Sequence, residues 1–193
     1  MSQTIRTFIA IPLNTEIQQA ISRVQERLKK HDCSIKWVKP ENIHLTLKFL
    51  GDVELEKIDT IKQKLESLFK GIGPVKLEMT QLDAFPSINH PKILWIGLKD
   101  DEQKISRQVS VLEDELGKLG FKKEERPFSP HVTIGRIRSP RNIQALSEAM
   151  SEYSFPAGLK QVIDCIILYK STLTSQGPIY ESLHETKLSW KVP

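Results

Sequence analysis

The sequence predicts an α+β fold made from two copies of one strand, helix, strand, helix, strand unit, with largely antiparallel sheets. Three observations carry this expectation. Short apolar runs that alternate with period two are interleaved with longer stretches of period 3.6. The order of these segments recurs in the two halves of the chain. One tetrapeptide of the form His-apolar-Thr-apolar stands at the equivalent place in each half, as His44-Leu45-Thr46-Leu47 and His131-Val132-Thr133-Ile134.

The elements follow in order. Ile5–Leu13 is a short β-type run. Asn14 or Thr15 caps a helix over residues 15–30, where Ile17, Ile21, Val24 and Leu28 repeat at helical spacing. Ile35–Val38 and His44–Leu50 read as strands parted by the turn Lys39-Pro40-Glu41-Asn42, and Gly51 is expected to stop the second. Val53–Phe69 returns to the helical period through Ile58, Ile61, Leu65 and Leu68. Val75–Phe85 alternates again, with Val75, Leu77 and Met79 on one face. In the second half, Lys92–Leu98 is a strand and Glu102–Leu119 an amphipathic helix ending at Gly120. His131–Ile137 is a strand, Asn142–Tyr153 a helix and Val162–Tyr169 a strand. Leu173 and Tyr180–Leu188 close as a pair through the turn Ser175-Gln176-Gly177-Pro178.

The chain has 193 residues, 39% hydrophobic and 27% charged. That length supports a substantial core, and that balance argues against wholesale disorder. The expected organisation is one domain over residues 1–193 built of two pseudo-symmetric lobes. No apolar run approaches the roughly 20 residues of a membrane-spanning helix. The opening stretch lacks a signal-peptide cleavage pattern, so a cytoplasmic protein is expected. Cys33 and Cys165 form no Cys-x-x-Cys pair and read as reduced thiols. The excess of 28 Lys and Arg over 24 Asp and Glu is compatible with an anionic substrate but does not establish one.

The paired motifs carry the chemistry. Alternate side chains of a strand point to opposite faces. His44 and Thr46 therefore share one face, with Leu45 and Leu47 on the other. His131 and Thr133 likewise share a face opposite Val132 and Ile134. One such tetrapeptide is usually no more than a polar strand face. Two at equivalent positions of a repeat are less easily dismissed: if a pseudo-twofold axis relates the halves, both His/Thr faces can meet across one groove. Histidine titrates near pH 6.5, so one ring can act as base while the other acts as acid. Threonine hydroxyls and nearby cations suit the charge on non-bridging phosphate oxygens. No carboxylate or cysteine cluster adjoins the motifs, so metal-free chemistry without a cofactor is expected.

At these residues the chain resembles the 2H phosphoesterase family, and within it the branch of RNA 2′,3′-cyclic phosphodiesterases once described as 2′-5′ RNA ligases. The resemblance runs over nearly the whole chain. It includes residues 6–11 (RTFIAI), 37–51 (WVKPENIHLTLKFLG), Phe85-Pro86, Leu94-Trp95, 128–136 (FSPHVTIGR) and 168–173 (LYKSTL), with Gly177 and Tyr180. It implies a two-lobed LigT-like fold: duplicated antiparallel sheets, helices packed outside, a central groove, and both chain termini in one lobe. It also implies hydrolysis of RNA or nucleoside 2′,3′-cyclic phosphates to 2′-phosphates. Carried over by position, His44 is the proton donor and His131 the acceptor, although the symmetric pair by itself permits either order. Thr46 and Thr133 bind phosphate oxygens.

Lys48 has the parity of His44 and is expected on the groove face as a further phosphate ligand. Arg136 has the wrong parity unless Gly135 allows a bulge, but is included with the phosphate ligands because an arginine on a core face is costly. Phe49 is expected in the core. Tyr169, Tyr180, Trp37 and Phe128 are read as packing residues that are candidates for base stacking. Lys122, Lys123, Arg126, Arg138 and Arg141 surround the second motif as a solvated, partly basic surface. His31, His90 and His184 are assigned no catalytic part. The expected partners are RNA ends or 2′,3′-cyclic nucleotides, with no membrane and a monomeric protein. The rival readings are a 2′-5′ RNA ligase using the same groove and a non-catalytic RNA- or nucleotide-binding module.

Overall fold

The computed structural model describes residues 3–139, 141–156 and 158–189. The period-two runs form β1 (Thr4–Pro12), β2 (Ile35–Trp37), β3 (His44–Glu54), β4 (Val75–Ser87), β5 (His90–Asp100), β6 (His131–Ile137), β7 (Lys160–Ile163), β8 (Cys165–Thr174) and β9 (Gly177–Lys187). The period-3.6 runs form α1 (Thr15–Lys29), α2 (Leu55–Phe69), α3 (Lys104–Gly117) and α4 (Ile143–Ser151). Asn14 caps α1 by accepting a hydrogen bond from the Ile17 amide at 2.9 Å, which satisfies one of the free donors at the helix start. Each helix buries one apolar stripe. Ile17, Ile21, Val24 and Leu28 of α1 are buried, and so are Ile105, Val109, Leu112 and Leu116 of α3.

The strands pair antiparallel in the order β7-β4-β5-β6-β3-β1-β8-β9, with β2 added on β6. Two half-sheets are visible in this order. One holds β3, β1, β8 and β9, so both ends of the described chain lie in it, as the family likeness implies. The other holds β6, β5, β4 and β7. They join through one registered pair, Leu45 of β3 against Val132 of β6. Both side chains are fully buried on the helix side. Burial of such side chains contributes about 1.5–3 kcal/mol each.

Two expected boundaries differ. β3 does not stop at Gly51 but runs on to Glu54, because Gly51 adopts φ +74° at a bulge and lets the strand continue against β1. The run Val162–Tyr169 is two strands. β7 pairs with β4 and β8 pairs with β1, and the chain crosses between half-sheets at Asp164. The exposed Asp164 is the charged residue at this switch, and no glycine or proline marks it. His90 opens β5, opposite Ser87 across a two-residue turn.

Each motif ends in a bulge. In β3, Thr46 pairs with Ala10 and Lys48 with Ile9, so Leu47 is the extra residue. In β6, Thr133 pairs with Trp95 and Gly135 with Leu94, so Ile134 is the extra residue. A bulge reverses the parity of the residues beyond it. Gly135 therefore lies on the core face, under the side chains of β2. A methyl group at Gly135 would sit 2.9 Å from Ile35 Cγ2 and 3.1 Å from Trp37 Cε3. Gly135→Ala is expected to push β2 off β6 and cost about 1–3 kcal/mol in urea unfolding. An unchanged midpoint would contradict this packing.

Candidate active site

The antiparallel register that sets Leu45 against Val132 also arranges the motifs. One residue to either side, His44 comes against Thr133 and Thr46 against His131. All four side chains point to the face opposite the core, and all four are partly exposed. Directly opposed residues of such a pair lie about 4.5–5.5 Å apart, and the diagonal, here between the two histidines, spans about 7–8 Å. Each imidazole thus has the other motif's hydroxyl beside it.

Both rings are held in the same way. His44 Nδ1 lies 2.9 Å from the Asn42 carbonyl oxygen and His131 Nδ1 lies 2.8 Å from that of Ser129. A carbonyl only accepts, so Nδ1 carries the hydrogen in each ring and Nε2 is left for proton transfer. The strand start explains this symmetry: each histidine folds back on the carbonyl two residues earlier, where the chain enters the strand.

The walls around the rings differ. His44 packs against Phe8 at 4.7 Å between ring centroids and edge-on to Tyr180 at 5.3 Å, with Tyr169 at 6.4 Å. His131 meets Phe85 edge-on at 5.3 Å and Trp95 at 5.7 Å. Burial lowers the His44 pKa from its ordinary 6.5, opposed by the hydrogen bond to Asn42. A buried ring resists taking up charge. Burial also raises the Tyr180 phenol, against the opposing fields of Arg136 and Arg6.

Arg136 is exposed on the groove face, because the bulge at Ile134 turns it there. Lys48 is not in the groove. The bulge at Leu47 turns it to the helix face, where it is 5% exposed, and strict alternation fails at that residue. Its ammonium pairs with Glu113 of α3 and donates to the Lys122 carbonyl oxygen at 2.9 Å. Phe49 takes the groove-side place instead. It is 67% exposed, with its ring 5.9 Å from Phe8, and is not a core residue. Tyr169 and Tyr180 line the His44 wall, whereas Trp37 and Phe128 pack on the core. His184 pairs with Glu66 and Arg141 with Asp32, away from the motifs.

Two positioning residues are not singled out by the sequence pattern. Gln25 of α1 is buried, and its side-chain amide donates to the carbonyl oxygens of Val38 at 2.8 Å and Ile134 at 2.9 Å. It thereby adds a second donor to the carbonyl oxygen of the bulged residue of β6, which also accepts from the Val38 amide at 3.0 Å. Glu113 of α3 accepts from Lys48 and from the Glu124 amide, and so braces the bulge of β3. Gln25 follows Val24 as Glu113 follows Leu112, each beside the last-but-one buried residue of its helix stripe. Each helix supports the motif strand of the other sequence half. The available signal is a polar residue at the same point of both amphipathic repeats.

A duplicated antiparallel sheet that turns two His-x-Thr faces into one groove defines a phosphoesterase of the two-histidine class. The LigT like Phosphoesterase family model matches residues 11–95 and again 96–180, and the chain belongs to this family. The two matches meet within β5, so the sequence repeat cuts across the spatial half-sheets. The chain is 34% identical to the RNA 2′,3′-cyclic phosphodiesterase of Methanothermobacter thermautotrophicus, covering 95% of this chain and 99% of that protein. It is 38% identical to the protein of that name from Aquifex aeolicus, over 86% and 90%. The fold is also that of the crystal structure of TT0787 of Thermus thermophilus, with TM-score 0.80, 22% identity and 97% and 100% coverage. E. coli LigT in apo form superposes with TM-score 0.75 at 24% identity, over 97% and 99%.

The brace on β3 makes a specific expectation. Lys48→Met and Glu113→Gln are each expected to cost about 3 kcal/mol, because each leaves a buried partner unpaired. The double variant is expected to lose at least about 1 kcal/mol less than the sum. Strictly additive losses in chemical unfolding would contradict the pairing.

Proposed function

We propose that this protein is a phosphodiesterase that hydrolyses RNA or nucleoside 2′,3′-cyclic phosphates to 2′-phosphates, with the two motif histidines as acid and base. The observation that carries this reading is the register of Leu45 with Val132, which turns two Nδ1-anchored imidazoles and two threonines to one face. The relatives from Methanothermobacter and Aquifex bear the name of that same activity.

His131 Nε2 takes a proton from water as the oxygen attacks phosphorus. The bond from phosphorus to O3′ breaks, and His44 Nε2 gives its proton to the departing oxygen. The phosphate stays on O2′. Thr46 and Thr133 donate hydrogen bonds to the non-bridging oxygens, and Arg136 adds positive charge at the groove. Burial keeps His44 neutral more readily than a free histidine, so it is a ready donor once an anionic ester at its side favours the imidazolium form. Lys48 has no part in binding phosphate, because its ammonium is engaged by Glu113.

Both His-x-Thr faces belong to one chain, which supports action as a monomer. Among the described residues no helix is long and apolar enough to cross a membrane, and no three His, Cys, Asp or Glu side chains gather as a metal site. Cys33 and Cys165 are unpaired, which fits the reducing cytoplasm.

The test is an oligonucleotide ending in a 2′,3′-cyclic phosphate, incubated with the protein in chelator. The expected product is the 2′-phosphate, and His44→Ala or His131→Ala is expected to slow turnover by about 10²–10⁴-fold. A 3′-phosphate product, or full activity in either variant, would contradict the mechanism. The pH profile of kcat/KM is expected to be a bell. One limb belongs to His44 and falls below pH 6.5, since burial lowers that pKa. Both limbs above pH 7 would exclude His44 as an essential titrating group.

A further inference from the structure

Lys36 of β2 lies directly opposite Arg136 of β6. Its neighbours Ile35 and Trp37 cover the core side of Gly135, so Lys36 points to the groove side, where Arg136 also stands. Both side chains are exposed. Like charges placed directly across an antiparallel pair repel each other. Among the described residues no ion pair joins either of them to a carboxylate. Elsewhere the surface is rich in paired lysines. Two unneutralised cations facing each other at the groove mouth are stabilised by an anion between them.

We infer that Lys36 and Arg136 form a second phosphate subsite, which takes the phosphate on O5′ of the nucleoside whose cyclic phosphate lies at the histidines. This deepens the cyclic phosphodiesterase reading and rests on it for the identity of the ligand. Position supports the assignment. Thr133 pairs with Trp95 and Arg136 with Ile93, two residues further along β5, so the two points are about 7 Å apart along the sheet. Successive phosphates of a nucleic-acid strand have a comparable spacing. Beyond the bulge Arg136 is exposed on the same face as His131 and Thr133. A 2′,3′-cyclic phosphate ends its chain, so the next phosphate can only be the one on O5′. That group is either the diester of an RNA chain or the monoester of a nucleoside 5′-phosphate. Lys36 and Arg136 together hold the second phosphate, and the Arg136 charge also favours the first.

Binding and turnover test this separately. Adenosine 2′,5′-bisphosphate is expected to bind the wild-type protein about tenfold more tightly than adenosine 2′-monophosphate, the gain of one charge-assisted contact. Lys36→Gln is expected to remove most of that advantage and Lys36→Arg to restore it. Equal affinities in the wild type, or a Lys36→Gln loss that falls equally on both ligands, would overturn the subsite. The turnover arm compares adenosine 2′,3′-cyclic phosphate, the same compound with a 5′-phosphate, and a dinucleotide ending in the cyclic phosphate. A larger kcat/KM gain for the dinucleotide than for the 5′-phosphate assigns the phosphate to an RNA chain, and the reverse assigns it to a free nucleotide. A gain for the dinucleotide alone, with no bisphosphate preference, overturns the proposal, because phosphate is then not what is read. Absence of turnover with all three, alongside a Lys36-dependent bisphosphate preference, would sink the hydrolase reading and leave the anion subsite standing.

Discussion

Leu45 and Val132 face each other at the one registered pair between β3 and β6. On the helix side the pair is an ordinary apolar contact, fully buried. On the other side it decides which polar residues become neighbours. An antiparallel pair has a local twofold relation, so two similar tetrapeptides crossing at their second residue bring each histidine to the other's threonine. A slip of one residue would turn one of the two strands over and send its histidine and threonine into the core. The cost of burying them unpaired is what fixes the register, and the apolar partners supply the favourable part of the same constraint.

The bulges complete the arrangement. Each lets a strand leave the junction while keeping its apolar face on the helices, and each needs support for the backbone or side chain it displaces. Gln25 and Glu113 provide that support from equivalent points of α1 and α3, one by donating to carbonyl oxygens and the other by accepting from a lysine and an amide. The two halves thus share an architecture while their chemistry has diverged. The same divergence marks the groove. Phe49 and Arg136 occupy matching places after the two bulges, so one wall offers an aromatic face and the other a positive charge. The more enclosed His44 has a depressed pKa for the same reason: Phe8 and Tyr180 crowd it.

Most of this is legible in the sequence where a single period governs. The amphipathic helices and the His/Thr faces follow from spacing alone, and the repeat of the motif implies one groove. Legibility ends where the backbone departs from regular alternation. Alternation places Lys48 in the groove only if parity is carried past Leu47, and no residue there announces a bulge. Arg136 needs a bulge to reach the groove, and Gly135 is the visible hint. The division of residues 162–169 into strands of different half-sheets is marked only by Asp164, because a single charged residue also fits the exposed face of one continuous alternating strand. Gln25 by itself looks like any polar residue on a helix flank, and only its match with Glu113 in the other repeat marks it. Lys36 becomes informative only through the pairing of β2 with β6.

Histidine side-chain NMR during titration with inorganic phosphate addresses the shared groove most directly. The structure predicts that His44 and His131 shift together along one binding isotherm, that both keep hydrogen on Nδ1, and that His31, His90 and His184 do not follow. Separate isotherms for the two rings, or a response from only one of them, would contradict a single phosphate site between the motifs.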